Sequence, residues 1–307
     1  MATKNWQLTD IPDLTGKTII VTGGNSGLGF EAVKALSSKG AELILACRST
    51  KKGEQAKNQI LEVQPKSNIT VMELDLADLK SIRNFVDLFK QKHTQLDILL
   101  NNAGIMMVPY GLTKDGFENQ IGTNHLGHFA LTGLLLDVLK KTPKARVVNV
   151  SSIAHKTGIM DFENLLYTNG EGYTPMKAYG RSKLSNLLFI YELQRFFESN
   201  KIDCSATVAH PGVSDTNLFA HAAPKWLMKA LRPLFLTFVQ PANMGVLPEL
   251  RAATDPTAKG SDYFGPDGKR EMKGYPVLVK STTAANSIED AKKLWEASEK
   301  LTGVIYQ

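Results

Sequence analysis

The tightest constraint on this chain is a strand that runs straight into a glycine-rich turn and then a helix. Lys17 to Thr22 (KTIIVT) is a β-branched run, a strand by composition. It continues into Gly23-Gly24-Asn25-Ser26-Gly27-Leu28-Gly29, after which Phe30, Val33 and Leu36 recur at helical spacing. A turn in that context binds phosphate. Glycine permits the tight geometry and close approach, and the helix N-terminus offers unpaired N–H groups at the positive end of its dipole. The spacing is G-x-x-x-G-x-G rather than the generic G-x-G-x-x-G. A plain strand-to-helix turn is the competing reading, and four glycines in seven residues argue against it.

The same alternation continues downstream. Gly40 ends the first helix and Ala41 to Cys47 reads as a second strand. An acid about 20 residues past the glycines would serve a ribose 2′-hydroxyl. Here the strand ends in Cys47-Arg48, with Lys51 and Lys52 beyond. A guanidinium suits a 2′-phosphate, by paired hydrogen bonds or by stacking on the adenine. The plainer alternatives are a solvated loop charge for Arg48 and, for the lysines, the opening of a polar helix. Ile69 to Leu74 reads as strand three, followed by Asp75. Asp78 to His93 reads as an amphipathic helix, and Leu96 to Leu100 as strand four. Asn101-Asn102-Ala103-Gly104 then sits where an open parallel sheet binds its ligands. Phe117 to Leu139 reads as one long apolar helix, and Asn124 inside it must find partners. Ala145 to Val150 is strand five, ending at Ser151-Ser152, and Asp203 to Ala209 is strand six, ending at Pro211-Gly212. The pattern predicts one α/β domain over 1–307, a doubly wound parallel sheet with helices on both faces.

Tyr179-Gly180-Arg181-Ser182-Lys183 lies ahead of strand six. Residues four apart share a helix face, so the tyrosine and lysine stack one turn apart. Leu184, Leu187, Leu188 and Tyr191 keep helical spacing after them. An ammonium beside a phenol favours the phenolate, which suits proton transfer to or from a carbonyl or alcohol oxygen. A solvated lysine beside a half-buried tyrosine is the bland alternative. The upstream motifs weigh against it.

Composition narrows the partners. The 307 residues are 43% hydrophobic and 21% charged, with a net charge of +6 spread without arginine-rich runs, so nucleic acid is a poor partner. Cys47 and Cys204 each sit in an apolar run and read as small buried hydrophobes in a reducing compartment. Met1 to Lys17 has no apolar signal core, and no window reaches the ~18 apolar residues of a membrane span. The expectation is a cytoplasmic protein with no stable membrane insertion.

Taken together, Thr22 to Gly29, Asn101 to Gly104, Asn124, Ser152, Tyr179-x-x-x-Lys183 and Pro211-Gly212 resemble the short-chain dehydrogenase/reductases, over roughly residues 15–260. The runs Ala46-Cys47-Arg48, Thr123 to Phe129, Ser151-Ser152-x-Ala154-His155 and Lys293 to Glu299 look like the retinol dehydrogenase and protochlorophyllide reductase branch. The resemblance implies a Rossmann-type sheet of about seven strands, the last near Tyr263-Phe264. It implies Tyr179 as acid/base and Lys183 as the group that lowers its pKa and holds the nicotinamide ribose. Ser152 would bind the substrate oxygen, with Ser151 as the alternative, and Asn124 would fix a water in a proton relay. For the cofactor it implies Gly23, Asn25, Ser26, Gly27, Leu28 and Gly29 at the phosphates and Arg48 at a 2′-phosphate. Asp75 and Leu76 would lie by the adenine, and Asn102, Ala103 and Gly104 along the adenosine side. Pro211, Gly212, Val213 and Thr216 would line the nicotinamide. No metal is called for. Ser152 precedes Tyr179 by 27 residues, about twice the separation usual in the family, which marks an insertion through Met160 to Thr174.

The resulting expectation is an NADP(H)-dependent enzyme that reduces a carbonyl, or oxidises the alcohol, of a hydrophobic small molecule. A non-catalytic NADP-sensing protein and a light-dependent C=C reductase are the alternatives. A substrate lid is expected over 213–242, with Leu227, Leu231, Leu234, Phe235 and Phe238 on one face and Pro233 breaking it. Core or subunit packing, including a homodimer, and docking on a membrane surface compete for that face. Residues 259–307 are expected to form a C-terminal extension.

Overall fold

Thr18–Thr22 (β1) is buried along its whole length and alternates its side chains between two cores. Ile20 joins one core and Ile19 and Val21 the other, because successive residues of a strand face opposite sides. A strand covered on both sides has no polar face, which is why the central strands read as continuous apolar runs. The computed structural model describes residues 5–213 and 240–307.

Five further strands follow β1: β2 (Glu42–Cys47), β3 (Asn68–Glu73), β4 (Ile98–Asn101), β5 (Ala145–Val150) and β6 (Cys204–Ala209). With β7 (Tyr263–Pro266) and β8 (Pro276–Leu278) they form one sheet in the order β3-β2-β1-β4-β5-β6-β7-β8. The first seven are parallel, and β8 is an antiparallel edge strand on β7. The Rossmann-type sheet is therefore as expected, with β7 where a last strand was placed and one short strand added beyond it. Strand order reverses between β1 and β4, so the crevice beyond their carboxyl ends is where this architecture takes a ligand.

Helix α1 (Gly27–Ser37), α2 (Thr50–Val63) and Leu247–Thr254 pack on one face through Val33, Leu36, Ile60 and Leu250. Helix α3 (Leu79–Lys92), Gly127–Leu134 and Pro175–Ser199 pack on the other through Phe85, Phe89, Phe129, Leu187 and Leu188. The starts are capped as their sequences dictate. Asp78 accepts from the N–H groups of Lys80 and Ser81, and Thr174 accepts from Lys177 ahead of Pro175. The closing helix Ile288–Thr302 covers Pro175–Ser199 with an aromatic cluster in which Trp295 and Tyr306 lie 4.5 Å apart and Phe129 and Tyr306 4.9 Å.

One expected element is corrected. Phe117 to Leu139 is not a continuous helix: a helical turn at Asn119–Ile121 passes into a π turn at Gly122–Leu126, and a second break falls at Leu135. The apolar pattern is unbroken, so its period conceals the extra residue. The π turn carries Asn124, whose side chain bonds Ile105 and Ser182 on neighbouring elements, and such turns are frequent at functional sites.

Candidate active site

The glycine turn is held from below. Gly23 and Gly27 have φ of +69° and +55°, the left-handed region that glycine enters without penalty. A Cβ on Gly29 would fall 2.4 Å from the Gly23 carbonyl oxygen, so the helix can start this close to the strand only with glycine there. Asn102 Nδ2 donates to the Thr22 carbonyl at 2.6 Å and the Ala103 N–H to Thr22 Oγ1 at 3.0 Å, which joins the turn to the end of β4. Ser26 caps α1 with its hydroxyl unused by the helix. Exposed Arg48 closes this end of the cleft. Glycine flexibility, free N–H groups and a nearby cation are the donor set a phosphorylated dinucleotide fits.

At the other end the Pro175–Ser199 helix is buried on nearly every side from Ala178 to Tyr191, so Lys183 is no solvated surface charge. Its Nζ donates to the Val150 carbonyl at 3.0 Å and stands 5.8 Å from the Tyr179 ring centre. Asn124, one layer behind, donates through Nδ2 to Ile105 O and Ser182 Oγ, both at 2.9 Å, and accepts from the Ile105 N–H at 2.8 Å. Both amide hydrogens are thus committed to protein, so a relay water would have to bond to an oxygen of Asn124. A Cβ on Gly104 would sit 3.2 Å from Asn124 Oδ1 and 3.4 Å from Lys183 Nζ, so these groups converge on one glycine. His128 ties the π turn to β1, donating from Nδ1 to Asn124 O and accepting at Nε2 from Thr22 Oγ1, each at 3.0 Å. Burial holds His128 down at about 4, so it stays neutral.

The expected lowering of the tyrosine is reversed. Burial pushes Tyr179 up to about 12, with a Ser152 hydrogen bond opposing, and pushes Lys183 down to about 8. Desolvation disfavours both charged forms, and the nearby Glu249 only partly opposes it at Lys183. Of the paired serines, Ser151 is buried and donates to the Lys183 carbonyl at 2.9 Å. Ser152 is half-buried on the cleft wall, at the start of the turn Ile153–Thr157.

A single cleft with about 380 Å³ of free volume brings most of the expected residues together. Its wall includes Gly23, Asn25, Ser26, Gly27, Leu28, Gly29, Arg48, Asp75, Leu76, Asn102, Ala103, Gly104, Ser152, Tyr179, Lys183, Pro211, Gly212 and Val213. Asn124 does not line it, and Thr216 lies outside the described residues. The sequence reading missed Thr123 and the apolar side chains of Ile105, Met106 and Ile153. Their signal was positional: Ile105 and Met106 follow Asn101 to Gly104 directly, and Ile153 follows the serine pair.

Glu249 was missed as well. It is wholly buried in Leu247–Thr254, neither carboxyl oxygen has a hydrogen-bond partner among the described residues, and burial pushes it up to about 8, with Lys183 opposing. A carboxyl raised in the folded state contributes stability below its unfolded pKa of 4.5, lost as pH rises through about 8. Glu249→Gln, which fixes the neutral shape, is therefore expected to stabilise the protein by about 1–3 kcal/mol at pH 8. The gain should shrink towards pH 5; melting curves across that range check it, and a gain independent of pH would refute the assignment.

The fold and the cleft define a dinucleotide-binding oxidoreductase with a tyrosine–lysine pair. The comparisons agree. The short chain dehydrogenase family model matches residues 17–225. Human retinol dehydrogenase 12 is 40% identical over 299 residues, covering 96% of this chain and 89% of that protein. The chloroplastic short-chain dehydrogenase TIC 32 B of Brassica napus is 38% identical over 293 residues, covering 92% and 88%. A crystal structure of an uncharacterized protein from Mycobacterium paratuberculosis superposes with a TM-score of 0.83 at 39% identity, covering 99% of this chain and all of that one. The chain belongs to the short-chain dehydrogenase family, in its retinol dehydrogenase-like branch. It is accordingly an oxidoreductase of the kind that works between alcohol and carbonyl with a nicotinamide cofactor. Among the described residues no helix is long and apolar enough to cross a membrane.

Proposed function

We propose that the protein is an NADP(H)-dependent reductase of a hydrophobic aldehyde or ketone, or the dehydrogenase of the matching alcohol. The observation that carries this reading is the convergence of Ser152, Tyr179 and Lys183 on one cleft wall beside Gly104, with Ile105, Met106 and Ile153 making that wall apolar. When bound, the nicotinamide supplies or accepts the hydride. Tyr179, a protonated phenol at neutral pH, gives its proton to the oxygen that develops negative charge during reduction. The Ser152 hydroxyl bonds the same oxygen and orients it. Lys183, anchored on Val150 O, favours the phenolate left behind and bonds the nicotinamide ribose. Asn124 locks Ile105 and the π turn against Gly104 through its amide, and a relay water would bond to an oxygen of this residue. Burial of Ser151 under Lys183 supports Ser152 as the substrate serine.

The phosphate end takes Gly23 to Gly29, with Arg48 on a 2′-phosphate, Asp75 and Leu76 by the adenine, and Asn102 and Ala103 along the adenosine. Pro211 to Val213 face the nicotinamide. The lid assigned to 213–242, with its Leu231 face, and the contact assigned to Thr216 lie outside the described residues except at Val213 and Gln240–Ala242. A cytoplasmic address belongs to the same reading, supported by two buried free cysteines.

Cofactor preference tests the phosphate end. Arg48→Ala removes a charge-assisted contact worth about 1.5–3 kcal/mol, so KM for NADPH should rise by one to two decades while KM for NADH hardly moves. Steady-state kinetics with both cofactors check it. A wild type that uses NADPH and NADH equally well contradicts the preference.

A further inference from the structure

Three segments distant in sequence meet beside the cleft at one carboxylate. Glu271 Oε2 lies 3.0 Å from His210 Nε2, and its Oε1 accepts from Lys156 Nζ at 2.9 Å. His210 is fully buried at the end of β6, next to Pro211. The Gly212 N–H donates to His210 Nδ1 at 3.2 Å, so the ring proton sits on Nε2 and is donated to Glu271. A Cβ on Gly265 would fall 2.1 Å from that Nε2, so β7 leaves room for the ring only by carrying glycine there. Lys156 stands in the turn Ile153–Thr157, which Ser152 caps.

The loop between β7 and β8 is shaped to deliver this carboxylate. Arg270 and Glu271 hold φ of +56° and +58°, a region that non-glycine residues seldom occupy. The next residue offers its carbonyl to the same wall, with Val213 N–H donating to Met272 O at 2.8 Å. Gly212, at φ +65°, has that oxygen only 2.3 Å from where a Cβ would be. Left-handed backbone at two successive non-glycine residues persists where the surroundings over-determine it, which is common at working sites.

We infer that Glu271 is a positioning residue for this site: through His210 it sets the Pro211–Val213 wall, and through Lys156 it sets the turn that follows Ser152. The inference rests on the roles proposed above for that wall and that serine. Hydrogen bonding from His210, with Lys156 adding to it, holds the Glu271 carboxyl down at about 2, so it is an anion at neutral pH. Each arm predicts a different kinetic consequence. The histidine arm governs cofactor binding, and the lysine arm governs turnover.

The test uses the full-length protein, with NADPH affinity from fluorescence titration, kcat for an apolar aldehyde such as nonanal, and the melting temperature. Displacing a binding wall and a catalytic turn by fractions of an ångström costs about ten-fold in each constant, so Glu271→Ala should raise the NADPH Kd and lower kcat by that much. Glu271→Gln keeps a carbonyl for the His210 Nε2–H, so it should restore Kd while kcat stays low. Lys156→Ala should lower kcat and leave Kd unchanged. If Glu271→Ala fails to fold, the Gln and Lys156 variants give the same split. Wild-type protein that binds and turns over NADPH, with both constants within about two-fold in all three variants, overturns the inference and leaves the site reading intact. NADPH affinity and kcat falling together with melting temperature, without rescue by Gln, would make Glu271 a stability element and overturn it too. A wild type that binds no dinucleotide overturns both.

Discussion

Tyr179→Phe is expected to lower kcat by about 10²–10⁴-fold, the usual worth of a general acid, while the NADPH Kd stays within about two-fold of wild type. The substitution keeps the ring in its buried slot on the Pro175–Ser199 helix and removes only the proton donor. Because burial already holds Tyr179 at about 12, the phenol is the form present at neutral pH, and the proposed reduction would draw on that proton directly. Steady-state turnover alongside a cofactor titration measures both quantities. Retention of a tenth or more of kcat would assign the proton to another group.

Lys183→Met should lose activity on both counts, with kcat down about 10²–10³-fold and cofactor affinity down about ten-fold. The same variant should be no less stable. Val150 O keeps a second donor, Asn186 Nδ2 at 3.0 Å, so no backbone acceptor is orphaned. The methionine refills the lysine stem, and a buried cation disappears. The sign follows from Lys183 lying at about 8 in the fold against 10.5 when solvated. Its native stability is greatest above 10.5 and falls as pH drops to about 8, so the variant's advantage is full below pH 8 and gone above 10.5. Activity falling while the melting temperature holds or rises is the expected pair of results. A melting temperature that falls sharply at pH 7 would show that Lys183 holds the fold together instead.

Features that depend on near neighbours in sequence were legible before any coordinates. The glycine turn, the Tyr179–Lys183 spacing and the strand ends at Gly104 and Ser152 are set by a few consecutive residues, and strand alternation fixed the order of elements. What stayed hidden depends on three-dimensional company. The π turn at Gly122–Leu126 is invisible to an apolar period that runs on through it, and the partners of its Asn124, Ile105 and Ser182, lie 19 and 58 residues away in sequence. The raised Tyr179 follows from burial, whereas sequence spacing shows only the nearby ammonium. Glu249 is buried in Leu247–Thr254 by the elements packed round that helix, which its neighbours in sequence do not reveal. Glu271 meets Lys156 across 115 residues and His210 across 61, and no local pattern encodes such a meeting.

The central claim is that this cleft transfers a hydride with Tyr179 as proton donor. The direct measurement is NADPH consumption by the purified protein over a panel of apolar aldehydes, ketones and quinones, with the alcohol product quantified beside it. The account predicts NADPH oxidation matched mole for mole by alcohol with at least one apolar carbonyl, much slower with NADH, and abolished in Tyr179→Phe. Tight NADPH binding with no turnover of any carbonyl, or turnover that survives in Tyr179→Phe, would contradict it.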